Sequence, residues 1–75
     1  MGRLRILAGQ EVCFILSQHG FKPIRQRGSH RIMHLRREGS TITIPVPMHP
    51  ELTAGTLSSI IRQSGLPRSL FECEL

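Results

Sequence analysis

FKPIRQRGSHRIMHLRREGSTITIPV, residues 21–46, is the stretch that decides the fold. Two small turns, Gly28-Ser29 and Glu38-Gly39, cut it into three short runs. In the last run Thr41 and Thr43 alternate with Ile42, Ile44 and Val46, the period of a strand with one wet side and one buried side. Two-residue turns between such runs close β-hairpins, and Glu38-Gly39 is close in type to the Asp-Gly signal. The segment therefore predicts a three-stranded antiparallel meander, with strands over roughly residues 21–27, 30–36 and 40–46. Pro23 has no N–H to donate, which places the first strand at an edge. Pro45 and Pro47 are expected to end the ladder for the same reason. The middle strand has Ile32 on one side and Met33 with Leu35 on the other, so periodicity leaves open which side is buried.

Helical signals flank the meander. Over residues 9–19, Val12, Ile15, Leu16 and His19 recur at helical spacing, Cys13 and Phe14 widen the apolar face, and Gly20 stops the helix. After a loop at 48–52, Thr53 is placed to cap a second helix. Leu52 and Leu57 can form its hydrophobic staple, and Leu57, Ile60 and Ile61 its apolar stripe. Gly65 and Pro67 end it. Residues 68–73 add a short helical turn, with Leu70 and Phe71 over the core. The order is α-β-β-β-α. This is an α+β fold with both helices on one face of the sheet, so that each apolar stripe is buried and the other sheet face is free.

The chain of 75 residues predicts a single domain over residues 1–75. Its only aromatic residues are Phe14, Phe21 and Phe71, so the core is aliphatic and leaves no room for a buried cofactor pocket as well. No cofactor is expected. Cys13 and Cys73 have no CxxC spacing and read as reduced thiols in a cytoplasmic protein. No signal peptide or membrane span is evident.

The net charge of +5 is unevenly placed. Lys22, Arg25, Arg27, Arg31, Arg36 and Arg37 fall between Phe21 and Arg37 with no Asp or Glu among them, while the rest of the chain is close to neutral. Arginine suits bidentate contact with phosphate, so this segment reads as a polyanion-binding face, the plainer alternative being a solvated one.

Chemistry must come from few groups. Asp is absent, no carboxylate pair stands in the basic segment, and no phosphate-binding glycine motif occurs. The four histidines His19, His30, His34 and His49 have no zinc-motif spacing, so no metal site is expected. What remains is histidine among arginines. Cutting RNA requires only that a base remove the 2′-hydroxyl proton and that cations stabilise the charge gathering on phosphate. Histidine, with an unperturbed pKa of about 6.5, suits the first task. His30 follows the Gly28-Ser29 turn directly, with Arg25, Arg27 and Arg31 close by, and is the candidate catalyst. The competing view is an ordinary histidine beside a turn. His34 shares a strand side with His30 and reads as partly buried. His19 ends a helix, where a cation complements the dipole. His49, in an open loop, is a second candidate.

Three segments, taken in order, resemble the HicA-type toxins, also called the YcfA-like family. They are Arg25-Gln26-Arg27-Gly28-Ser29-His30, then Ile42-Thr43-Ile44-Pro45-Val46, then Gly55-Thr56-Leu57 through Ile60-Ile61-Arg62-Gln63-Ser64-Gly65-Leu66. The resemblance covers roughly residues 9–72. It implies a double-stranded-RNA-binding-domain-like fold, mRNA interferase activity and neutralisation by a HicB-type antitoxin. It also implies a catalytic role for the histidine of the Gly-Ser-His segment, here His30. Arg25, Arg27, Ser29, Arg31, Arg36 and Arg37 are the expected RNA contacts. The sequence departs from the family's pattern in two places. Many relatives carry a second histidine where this chain has Arg31, and many have one soon after the Pro-Val pair, where Pro47 and Met48 here precede His49.

The expected function is thus a metal-independent endoribonuclease toxin acting on mRNA, with an antitoxin protein as partner. The alternatives are a module of the same fold that holds RNA without cutting it, and an interaction protein whose basic face docks an acidic partner.

Overall fold

A computed structural model describes residues 2–73. In chain order it contains β1 (Arg3–Leu4), α1 (Gly9–Ser17), β2 (Lys22–Arg27), β3 (His30–Arg37), β4 (Ser40–Pro47), α2 (Ala54–Ser64), a 3₁₀ turn (Arg68–Phe71) and β5 (Glu72–Cys73). The three longer strands form one antiparallel sheet in the order β2-β3-β4. Both helices bury their stripes against a single core, giving the expected α+β, α-β-β-β-α arrangement.

Strand register settles which side of the middle strand is buried. Arg31 pairs with Val46, Met33 with Ile44 and Leu35 with Ile42. Met33, Ile44 and Val46 are fully buried with Val12 and Leu16 of α1 and Leu57 and Ile60 of α2. The odd-numbered side of β3 therefore faces the helices. His30, Ile32, His34 and Arg36 point away from them. The first hairpin closes on the Arg27–His30 pair. Gly28 takes the first central position of its turn with φ 57°, a left-handed value that suits glycine. Every residue of β2 is exposed, so this strand is an edge, as Pro23 required.

β4 does not stop at its prolines; it runs through both, to Pro47. The reason lies in the phase of the ladder. The Met48 N–H donates to the Ser29 carbonyl at 2.6 Å, which makes Ser29 and Met48 a hydrogen-bonded pair. Pairs alternate along an antiparallel ladder. Pro47 opposite His30 and Pro45 opposite Ile32 thus fall in the pairs that exchange no hydrogen bonds. At those positions a strand N–H points away from β3, toward the free edge, so proline removes nothing from the ladder.

α1 is shorter than expected, ending at Ser17 with Gln18 as its C-cap. Its buried face is Val12, Cys13, Ile15 and Leu16, whereas Phe14 is 63% exposed and does not join it. Ala8 has no capping side chain. Its own N–H donates to the Glu11 carboxylate at 2.8 Å. The helix begins hard against the end of β4. The Gly9 N–H donates to the His49 carbonyl at 3.0 Å, and a Cβ at Gly9 would lie 1.9 Å from the Pro47 carbonyl oxygen. No other residue type fits there without a backbone shift.

α2 starts as its sequence indicates. The Thr53 hydroxyl accepts from the Thr56 N–H at 3.2 Å, and Leu52 and Leu57 are both buried. Gly65 ends it with φ 72°. Beyond it, the ends of the fold meet in a ribbon that the sequence does not foreshadow: Arg3 pairs with Cys73 and Leu4 with Glu72. The Arg5 N–H donates to the Phe71 carbonyl at 2.8 Å, beside the fully buried Phe71 ring. Among the described residues no helix is long and apolar enough to cross a membrane.

Candidate nucleic-acid interface

The sheet face opposite the helices is built from three rows. β2 contributes Lys22, Arg25 and Arg27; β3 contributes His30, Ile32, His34 and Arg36; β4 contributes Thr41, Thr43, Pro45 and Pro47. The three strands contain no Asp or Glu. A register shift between Pro23 and Arg25 keeps Lys22, Arg25 and Arg27 on this one face. Four of the six cations of residues 21–37, Lys22, Arg25, Arg27 and Arg36, are thereby gathered on the face of the two histidines, and among the described residues none of them pairs with a carboxylate.

His30 occupies the rim of this face. The Gly28-Ser29 turn delivers it to the first position of β3, exposed, opposite Arg27 on one side and Pro47 on the other. Cross-strand partners have Cβ atoms about 4.5–5.5 Å apart, so an imidazole and a guanidinium here can reach one phosphate group. Arg27, His30, Ile32 and Pro45 line a common hollow of about 350 Å³. Arg25, two residues back along β2 and paired with Ile32, borders it. The rim is held from behind. Ser29 bonds Met48, and Gly9 at the start of α1 bonds His49, so turn, strand end and helix start are tied together at one corner.

The other expected contacts divide. Ser29 lies in the turn beside His30, and its carbonyl is taken by Met48. Arg31 follows His30 in sequence but stands on the opposite side of β3, half-buried against α1. Its guanidinium faces the buried Cys13 thiol. Burial pushes that thiol up from its ordinary pKa, and the positive charge and hydrogen bond of Arg31 partly oppose the shift. Cys13 also lies 4.0 Å from the Met48 sulfur. Arg36 and Arg37 sit at the far end of β3. Arg36 shares the His30 face, but six residues of strand, about 20 Å, separate them. Arg37 points the other way.

His34 shares the His30 face and is half-buried between Lys22 and Thr43, its cross-strand partners. Four residues of strand, about 13 Å, keep it from the phosphate that His30 would touch. His49 is exposed at the same corner as His30, two residues past Pro47. His19 is exposed beyond the end of α1, in the connection to β2. Among the described residues no three His, Cys, Asp or Glu side chains come together as metal ligands. Both Cys13 and Cys73 are free thiols.

Sequence reasoning did not single out Ile32, Pro45 or Pro47 as part of this face. The signal was present in the proline pair, since prolines in an edge strand mark which of its positions bond inward.

Two comparisons bear on this arrangement. A family model, the HicA toxin of bacterial toxin–antitoxin systems, matches residues 9–66, a span that holds α1, the whole sheet and α2. No curated protein matches the chain significantly.

Proposed function

Because the chain belongs to the HicA toxin family of bacterial toxin–antitoxin systems, we propose that it is an endoribonuclease that cuts mRNA with His30 as general base. The observation that carries this is the position of His30. It is an exposed imidazole at the rim of a carboxylate-free sheet face, paired across the hairpin with Arg27 and sharing a hollow with it. His30 removes the proton of a ribose 2′-hydroxyl, the 2′-oxygen attacks the adjacent phosphorus, and the bond to the 5′-oxygen breaks. The leaving oxygen takes its proton from water. Arg27, with Arg25 beside it, stabilises the charge on the phosphate oxygens. The products are a 2′,3′-cyclic phosphate and a free 5′-hydroxyl.

Arg36 and Lys22 extend the path for the RNA backbone, and Ser29 contributes from the turn. Arg31 and Arg37, on the other side of β3, serve the total charge rather than the cut phosphate. Residues 1–75 act as one RNA-directed domain in the cytoplasm. The partner is a HicB-type antitoxin that covers the His30 rim, its acidic groups drawn in by the basic face.

The reading as a module that binds RNA without cutting it draws on one observation. No second proton-transfer group stands on the strands within a phosphate's reach of His30, since His34 is about 13 Å along β3. One experiment separates the two. Purified protein is incubated with a long RNA, with the same sequence as DNA, and with RNA in the presence of a chelator. RNA is expected to be cut equally with and without chelator, and DNA to stay intact because it lacks the 2′-hydroxyl. Loss of cutting in chelator, restored by magnesium, overturns the mechanism; RNA bound and left whole supports the module.

A further inference from the structure

The phosphate chemistry uses only part of the open face. Ile32 is 7% exposed, yet it lies on the side of β3 away from the helices and outside the core cluster. It is shielded by its own sheet neighbours: Arg25 and Pro45 across the strands, His30 and His34 along β3. Pro47 stands opposite His30. The Ile32–Pro45 and His30–Pro47 pairs exchange no hydrogen bonds, and in such pairs the strands approach most closely, with Cα atoms about 4.5 Å apart. The exposed Pro45 ring and the half-buried Pro47 ring, two residues apart on one face of β4, therefore form an apolar shelf beside the imidazole, with the shielded Ile32 packed between Pro45 and Arg25. Farther along β4 the same face carries Thr41 and Thr43, the usual choice for a wet strand surface. The apolar substitution is confined to the His30 end.

We infer that this shelf is a subsite for one nucleobase of single-stranded RNA, next to the phosphate that His30 attacks. The inference rests on RNA being the ligand of the basic face. A base offers a flat apolar surface of matching kind and is tethered to the phosphate that Arg25 and Arg27 would hold. A protein segment bringing an apolar side chain would need its own negative charge at that spacing to satisfy the two guanidinium groups, whereas a nucleotide supplies both at once. In a duplex the bases are stacked inside, so only an unpaired nucleotide reaches the shelf. The chain has no Trp or Tyr, and its three Phe lie elsewhere: Phe21 and Phe71 are buried and Phe14 is on α1. The base therefore rests on aliphatic groups, with no aromatic sandwich. A shelf without hydrogen-bonding groups selects by touching area and favours a purine over a pyrimidine.

The test uses short 2′-O-methyl RNA strands, which cannot be cut, with a single abasic nucleotide walked along them, and reads binding by fluorescence anisotropy. One position is expected to weaken binding about three- to tenfold when its base is removed, the scale expected when a modest apolar area returns to water. That sensitive position should disappear in Pro45→Ser and in Ile32→Thr. Pro45 is exposed on the edge strand, and the N–H it would gain points to solvent, so this variant keeps the fold even if Ile32→Thr does not. A purine at the sensitive position should bind more tightly than a pyrimidine, and a blunt duplex should show no sensitive position. Equal binding at every abasic position overturns the shelf and leaves the cutting reading untouched. A sensitive position in a protein that never cuts unmodified RNA upholds the shelf and overturns the nuclease. No binding to any strand overturns both.

Discussion

His30 is tied to the molecule by its backbone far more than by its side chain. It sits at a strand start, exposed, with its neighbours Ser29 and Pro47 fixing the corner. His30→Ala should therefore leave stability within about 0.5 kcal/mol of the parent, as surface substitutions do. A general base contributes about 10²–10⁴-fold in rate, so cutting and toxicity should vanish. Melting curves and RNA cleavage measured on the same preparation separate the two effects; a well-folded mutant that still cuts would end the assignment, and His49→Ala would be tested next. Gly9 presents the reverse case. Alanine would gain about 1 kcal/mol in helix propensity. Its Cβ, however, would fall 1.9 Å from the Pro47 carbonyl oxygen. The backbone must then move, straining the corner and loosening the Gly9–His49 hydrogen bond, at a cost of about 1–3 kcal/mol for the overpacking and about 1 for the bond. Gly9→Ala should lower the denaturation midpoint, and an unchanged midpoint would show the corner to be soft. The first of these residues was legible in the sequence, because a histidine after a two-residue turn among arginines is a local pattern. Gly9 was not, since close approach between residues 9 and 47 is a matter of tertiary packing.

Element by element, the antiparallel meander, its β2 edge and the bounds of α2 were legible, whereas α1 stops two residues early with Phe14 exposed, and the phase of the ladder was hidden. Thr53, Leu52 with Leu57, and Gly65 define the bounds of α2. The prolines of β4 required knowledge of ladder phase, which only pairing with β3 supplies. The side of β3 that faces the helices was undecided because Ile32, Met33 and Leu35 are all apolar. It is undecidable locally, since Ile32 is itself shielded on the outer face. Ambiguity of this kind also hid the placement of Arg31, one residue from His30 and yet behind the sheet. Its position leads to a prediction about α1 and β3 as a packed pair. Burial raises the Cys13 thiol and Arg31 partly offsets that rise. Arg31→Met keeps bulk and removes charge, so thiolate formation at Cys13 should shift to still higher pH, read by ultraviolet absorbance in a Cys73→Ser background. A thiol that binds its proton more tightly when folded contributes stability below the unfolded thiol's pKa of about 8.5 and loses it as pH rises toward the folded value. Denaturation profiles should accordingly show alkaline weakening that Cys13→Ala removes; an unaltered profile would mean that the thiol titrates alike in both states.

At the scale of the whole molecule the charge is organised by the fold rather than by the sequence order. Register places Lys22, Arg25, Arg27 and Arg36 on the helix-free face and sends Arg31 and Arg37 to the other. RNA affinity should therefore fall steeply with salt. Each phosphate of a single strand that a cation neutralises adds about 0.7 to the slope of log affinity against log salt, so replacing Arg25 and Arg27 together should reduce the slope by about 1.4. Replacing Arg31 should change it less, and titrations at several salt concentrations decide between the two sides of β3; equal effects would show that the sheet face does not hold the RNA. The ribbon of β1 and β5 has a mechanical meaning for the molecule. Its two strands run antiparallel, with Arg3 against Cys73 at one end of the ribbon and Leu4 against Glu72 at the other. A pull that separates Arg3 from Cys73 loads the hydrogen bonds one after another, as in peeling, and not all together, as in shear. The ribbon should yield first and at low force, freeing Phe71 from its anchor at Arg5 before the three-stranded sheet feels any tension.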